Sequence, residues 1–198
     1  KKAWRIDSLE LDLTPPSSPR QPWKFELQAM PTRTDIPFHA TSPFRAGGEF
    51  GPFGSTMQRE TGVPVRMDWS TDDAMLVDLL TIGSGRDLGM HGSVNIRGHI
   101  AGTTSLFRVS AESEVQDLHR WDLFPSPGAS SLRAQLAGIV DLSTDLVELT
   151  SLTIPLGTGS LEIHGRVGNL FDHPESGFDA ELRHVSLAAL AALAPQFT

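Results

Sequence analysis

Gly159-Ser160-Leu161-Glu162-Ile163-His164-Gly165 decides how this chain folds, because the same pattern occurs 67 residues earlier as Gly92-Ser93-Val94-Asn95-Ile96-Arg97-Gly98. Both copies read Gly-Ser-apolar-polar-Ile-basic-Gly. Side chains alternate between the faces of a strand, so Leu161, Ile163 and Val167 share one face while Glu162, His164 and Arg166 share the other. A repeated strand with one apolar face predicts an array of similar sheets, and such arrays build long surfaces more often than compact active sites.

Outward from this motif the same alternation continues. Gly157-Thr158-Gly159 is a hairpin turn signal, and the strand before it, Asp145 to Leu156, changes phase after Leu149 to continue through Leu152, Ile154 and Leu156, which predicts a bulge. Ser131 to Ser143 keeps Leu136, Gly138, Val140 and Leu142 in phase, and Leu106 to Val115 and Phe178 to Val185 are extended. Gly62 to Trp69 places Val63, Val65, Met67 and Trp69 on one face, and Phe44 to Phe53 closes on a Gly-Pro turn. Trp4 to Leu13 and Trp23 to Met30 are predicted hairpin partners, since Pro15, Pro16 and Pro19 between them cannot donate ladder hydrogen bonds. Pro31 to Pro43 reads as a second loop.

Three strands are followed by a capping residue and a short apolar run. Asp72-Asp73 precedes Ala74 to Leu80, Asp117 precedes Leu118 to Leu123, and Ser186 precedes Leu187 to Leu193. Helices of two turns do not persist alone, so these are expected to pack on a sheet as lids or end-plugs. The expectation is a mainly β fold of repeated antiparallel strands, ten to twelve in all, with about three short helices.

Composition narrows the function. A hydrophobic fraction of 39% beside 20% charged residues is that of a folded domain, and 18 Gly with 14 Pro require many turns. The net charge of −8 and the scattered basic residues argue against a nucleic-acid partner. Absence of cysteine excludes disulfides, thiolate metal sites and a cysteine nucleophile. The most apolar run, Leu187 to Ala194, is far short of the roughly 20 residues that cross a bilayer. Lys1-Lys2-Ala3-Trp4 is followed by no apolar signal core, so the chain is expected to be an internal piece of something longer.

Residue types that could carry chemistry are present without the spacing that chemistry needs. His39, His91, His99, His119, His164, His173 and His184 form no His-x-His or His-Glu-x-x-His arrangement and no i, i+4 pair, so no metal site is expected. His164 and Arg97 occupy equivalent places in the two copies and read as the polar face of a half-wet sheet; His119, in Leu118-His119-Arg120-Trp121-Asp122, reads as a helix-end polar cluster. Gly83-Ser84-Gly85 is neither a Gly-x-Ser-x-Gly elbow nor a phosphate loop, and Asp72-Asp73 fits a cap better than a cation site.

What remains is apolar surface. One face of an alternating sheet must be hidden by a second sheet, by helices or by a ligand. A β-sandwich with a filled core, serving as a structural or interaction module, and an open sheet offering its face to an acyl chain both meet that need.

One pattern resembles a known family. Leu149-x-x-Leu152-x-Ile154-x-x-Gly157-x-Gly159-x-Leu161-x-Ile163-x-Gly165-x-Val167, then Phe178-x-Ala180-x-Leu182 and Val185-x-Leu187-x-x-Leu190-x-x-Leu193-x-Pro195, is similar to the repeated signature of the AsmA and TamB-like envelope proteins. Phe44 to Leu80 and Val94 to Pro125 resemble other parts of such chains. The resemblance implies a curved, groove-like β sheet in the periplasm of a diderm bacterium, conducting phospholipid between inner and outer membranes and serving outer-membrane homeostasis. It implies a parent chain anchored in the inner membrane, membrane-protein partners on both sides, and neither catalytic residues nor a cofactor. Three regions are expected: an N-terminal hairpin with loops over 1–43, an AsmA-like repeat over 44–125 and a second over 126–198. Strand parity places Val94, Ile96, Ile100, Leu152, Ile154, Leu161, Ile163 and Val167 along the lipid groove.

Overall fold

A chain that alternates apolar and polar residues can wet one face and hide the other, provided its backbone groups find partners in neighbouring strands. In the computed structural model, which describes residues 4–34, 42–53, 62–84, 88–120, 131–169, 172–173 and 175–186, ten such segments pair into one antiparallel sheet in chain order. They are β1 Trp4–Thr14, β2 Trp23–Arg33, β3 Phe44–Phe50, β4 Pro64–Met75, β5 Met90–Thr103, β6 Leu106–Arg120, β7 Leu132–Asp141, β8 Leu146–Leu156, β9 Gly159–Gly168 and β10 Glu175–Arg183. Between β4 and β5 lies one helix, α1, Leu76–Ser84. The described residues therefore build a single open sheet with β1 and β10 at its edges, not two facing ones. Pairing crosses both expected region boundaries, with Trp23 opposite Phe50 and Leu106 opposite Asp141.

The three-helix expectation needs correction. α1 is present but begins at Leu76, and 187–193 lies outside the described residues. Leu118 to Arg120 are not helical: β6 runs on through them, pairing His119 with His91 and Arg120 with Met90, while 121–123 lie outside the described residues. The expected capping aspartates are bulge residues. Asp73 has φ 51° where β4 shifts register between Thr71 and Ala74, and Asp117 has φ 52° where β6 shifts against β5. The short side chain that suits Asp to a cap also lets it occupy the left-handed region, so the two roles look alike in sequence. The Asp73 N–H donates to Asn95 Oδ1 at 2.9 Å, which holds the first bulge against the next strand.

The bulge expected after Leu149 is present. Register shifts between Leu149 and Leu152, so Thr150 and Ser151 stand opposite the single residue His164. The His164 Nδ1–H donates to the Thr150 carbonyl, which gives that histidine a structural partner.

The repeated heptads lie in β5 and β9, and their closing glycines do the same work. A Cβ on Gly98 would lie 2.3 Å from the Trp69 ring, and one on Gly165 would lie 2.1 Å from the Phe178 ring. Trp69 and Phe178 are the direct cross-strand partners of these glycines, so each ring occupies the space a side chain there would need. The opening glycines differ. Gly92 sits inside β5 at φ 145° opposite the Asp117 bulge, whereas Gly159 begins β9 directly after the turn.

Gly98→Ala is expected to lower stability by about 1–3 kcal/mol because the Trp69 ring has to leave its place. Gly168→Ala, whose Cβ would meet nothing within 4 Å, should stay within about 0.5 kcal/mol of wild type; denaturant midpoints of the two variants check this. Asp141 closes the β7–β8 turn: its Oδ1 accepts from Ser143 N at 2.9 Å, Ser143 Oγ at 2.6 Å and Thr144 N at 3.3 Å. These bonds, Ser143 first, hold its carboxyl below the usual aspartate range. The folded value is depressed, so the turn's stabilisation is present above about pH 3.9 and is lost as pH falls through the folded value. Carboxyl NMR titration should show Asp141 protonating below a model aspartate, and Asp141→Asn should remove that part of the acid dependence.

Candidate functional site: an uncovered apolar face

Directly opposed residues of antiparallel strands share a face, so the register can be followed from one edge of the sheet to the other. One line runs Leu11, Leu27, Ala46, Trp69, Gly98, Ala111, Leu136, Leu152, Ile163, Ala180, crossing all ten strands without a polar residue. The next line on that face contains Leu13, Phe25, Met67, Ile100, Val109, Leu149 and Phe178. The corresponding line on the opposite face reads Glu10, Gln28, Arg45, Ser70, Arg97, Glu112, Gln135, Thr153, Glu162, Glu181. Alternation in each strand and an unbroken register together make one continuous apolar face and one continuous polar face.

All eight residues expected to line a groove lie on the apolar face. Leu152 is opposite Ile163, Ile154 is opposite Leu161, and Val167 is opposite Val147, which gathers five of them on β8 and β9. Val94, Ile96 and Ile100 lie on β5, three strand spacings or about 14 Å away. Val109 and Ala111 on β6 and Leu136 on β7 join the two groups. These linking residues carry the same alternation signal and belong to the surface equally. At the β2–β4 end the face is aromatic: Trp23 stacks with Phe50 at 6.4 Å and Phe44 with Trp69 at 6.2 Å between ring centroids.

Among the described residues no second sheet covers this face. The buried apolar side chains among the described residues are Ala46, Ala74, Val77, Val94 and Leu156, of which Val77 lies on α1. The edges are most open, with Leu9 63% and Phe178 56% exposed. Nine strand spacings and strands of about eleven residues give a face of about 43 by 36 Å, or roughly 1,500 Å². That is more than twice the largest apolar patch of an ordinary monomer, about 300–600 Å².

The polar face holds shallow hollows, one of about 500 Å³ lined in part by Asp68, Arg97, His99, Glu112, Gln135 and Thr153. His99 Nδ1 lies 2.8 Å from Asp68 Oδ1, and Arg133 Nη2 lies 3.4 Å from Glu114 Oε1. Arg183 bridges Glu162 on β9 and Glu181 on its own strand, at 3.2 and 2.9 Å, and holds the Glu181 carboxyl below its usual range. Pairs this exposed add little to stability, and their chemistry is that of a solvated charged surface. Among the described residues no group of three or more His, Asp or Glu is placed to hold a metal ion.

One buried polar contact had no counterpart in the sequence reading. Arg33 Nη1 on β2 donates to Asp78 Oδ1 on α1 at 3.3 Å, with side chains only 3% and 9% exposed. The residues are 45 apart in the chain, and neither lies in a motif.

The chain matches no protein-family model, no curated protein and no solved structure.

Proposed function

We propose that the chain is a segment of an AsmA-like envelope protein that carries phospholipid acyl chains along the apolar face of its sheet. The observation that carries this reading is the apolar line from Leu11 to Ala180, continuous over ten strands and covered by no second sheet among the described residues. The sheet is read as a curved groove with this face inward, in the periplasm of a diderm bacterium, serving lipid transport between the two membranes and outer-membrane homeostasis. The parent chain is anchored in the inner membrane, with membrane proteins as partners. Transfer needs no catalytic step. Each buried methylene contributes about 0.8 kcal/mol, so an acyl chain is held by continuous apolar contact and can slide without breaking any single strong bond.

The resemblance of Leu149 to Pro195 to the family's repeat supports the same reading. The alternative, a non-catalytic structural or interaction module with a filled β core, is less well supported by a face on which so few apolar side chains are buried.

Mass spectrometry of organic extracts from the native protein tests this. Phospholipid at about one or more molecules per protein is expected. Replacing Ile96 and Ile163 by Asp puts two charges on the face, at a cost of several kcal/mol to any acyl chain above them, and should abolish lipid co-purification while soluble protein is still recovered. Undiminished lipid on that variant, or none on the wild type, would turn the assignment towards the structural module.

A further inference from the structure

His91 and His119 stand opposite each other where the sheet narrows to two strands. β4 follows β5 no further than Ser93, opposite Met75, and β7 follows β6 no further than Val115, opposite Leu132. Beyond those points β5 and β6 pair only with each other among the described residues, through His91 with His119 and Met90 with Arg120. A two-stranded ribbon is marginal by itself. This one also contains the register shift between His91 and Ser93, where Gly92 has φ 145° and Asp117 has φ 52°, so its ladder is interrupted.

The two rings have the spacing of a chelating pair. Their centroids are 5.8 Å apart and their planes are inclined at 55°. Two imidazole nitrogens held at about 2.0–2.1 Å by one tetrahedral ion stand about 3.3 Å apart, which puts the ring centroids about 5–6 Å apart. Side-chain rotation alone can therefore aim both rings at one ion, with neither strand displaced. The tautomer of His119 is also set. Its Nδ1 meets the Asp117 carbonyl oxygen, which can only accept, so Nδ1 carries the proton and Nε2 keeps its lone pair. Ligating histidines are ordinarily held in this way, the second nitrogen donating to a carbonyl or carboxylate. His99 and His164 are engaged differently, by Asp68 and by the Thr150 carbonyl.

We infer that His91 and His119 form a two-histidine site for a first-row divalent cation, Cu(II) more tightly than Zn(II), which clasps the end of the β5–β6 ribbon. Imidazole suits both ions, and with nitrogen ligands Cu(II) binds the tighter. Both side chains are half-buried and no third His, Asp or Glu joins them among the described residues, so water fills the other coordination positions. Chain spacing hides the pair, because only the register of β5 against β6 makes the two histidines neighbours. The site does not depend on the acyl-chain reading.

Isothermal titration with copper(II) chloride and with zinc chloride tests this on wild type, His91→Asn, His119→Asn and His173→Asn, the last changing an exposed histidine outside the ribbon. Wild type should bind a single Cu(II), and Zn(II) more weakly. Each ribbon variant should bind Cu(II) about 10- to 100-fold more weakly, because the second ligand of a chelate acts at high effective concentration. His173→Asn should match wild type. Amide hydrogen exchange over 90–92 and 117–120, followed by mass spectrometry, should slow with Cu(II) on wild type and on neither ribbon variant. Wild type that binds no Cu(II), or ribbon variants that bind as tightly as wild type, overturns the site; tight binding with unchanged exchange overturns the clasp. Should a ribbon variant fail to fold, Cu(II) broadening of the wild-type imidazole NMR signals decides. Broadening that begins at His91 and His119 supports the site, and equal broadening of all seven histidines, as from an adventitious ion only, overturns it.

Discussion

The structure depends on parity of register. Every side chain in a strand belongs to one face or the other, and a slip of one residue at any of nine pairings would turn the apolar set of all later strands towards the polar side. The sheet contains such slips and absorbs them. β1 shifts between Ile6 and Leu9, β4 between Thr71 and Ala74, and β8 between Leu149 and Leu152. In each case the sequence changes its apolar phase at the same place, so the bulge and the pattern cancel and the face continues. Asp73 at φ 51° supplies the unusual backbone of one such point, and His164 holds the Thr150 carbonyl at another. These polar residues are what keep the apolar face unbroken.

Glycine beside an aromatic ring is the second recurrent device. Trp69 at Gly98 and Phe178 at Gly165 each place a large ring in the space that a Cβ on the partner residue would need.

α1 stands apart from both devices. It is joined to the sheet by the buried Arg33–Asp78 ion pair, a contact between residues 45 apart in the chain.

By itself the sequence determined most of the strands, the first hairpin and the one turned at Gly157 to Gly159, the bulge after Leu149 and the face on which each of the eight apolar positions lies. All of these follow from period-two alternation and turn chemistry, which act between near neighbours. It misassigned Leu118 to Arg120 because an aspartate before an apolar run serves a cap and a bulge equally well, and only the presence of β5 alongside, pairing Met90 with Arg120, decides between them. Tertiary structure alone decided that the strands form one sheet instead of two, that the β5 and β9 repeats stand on one face with β6 to β8 between them, and that Arg33 meets Asp78. Each of these depends on which distant segments become neighbours, and alternation contains no information about distance.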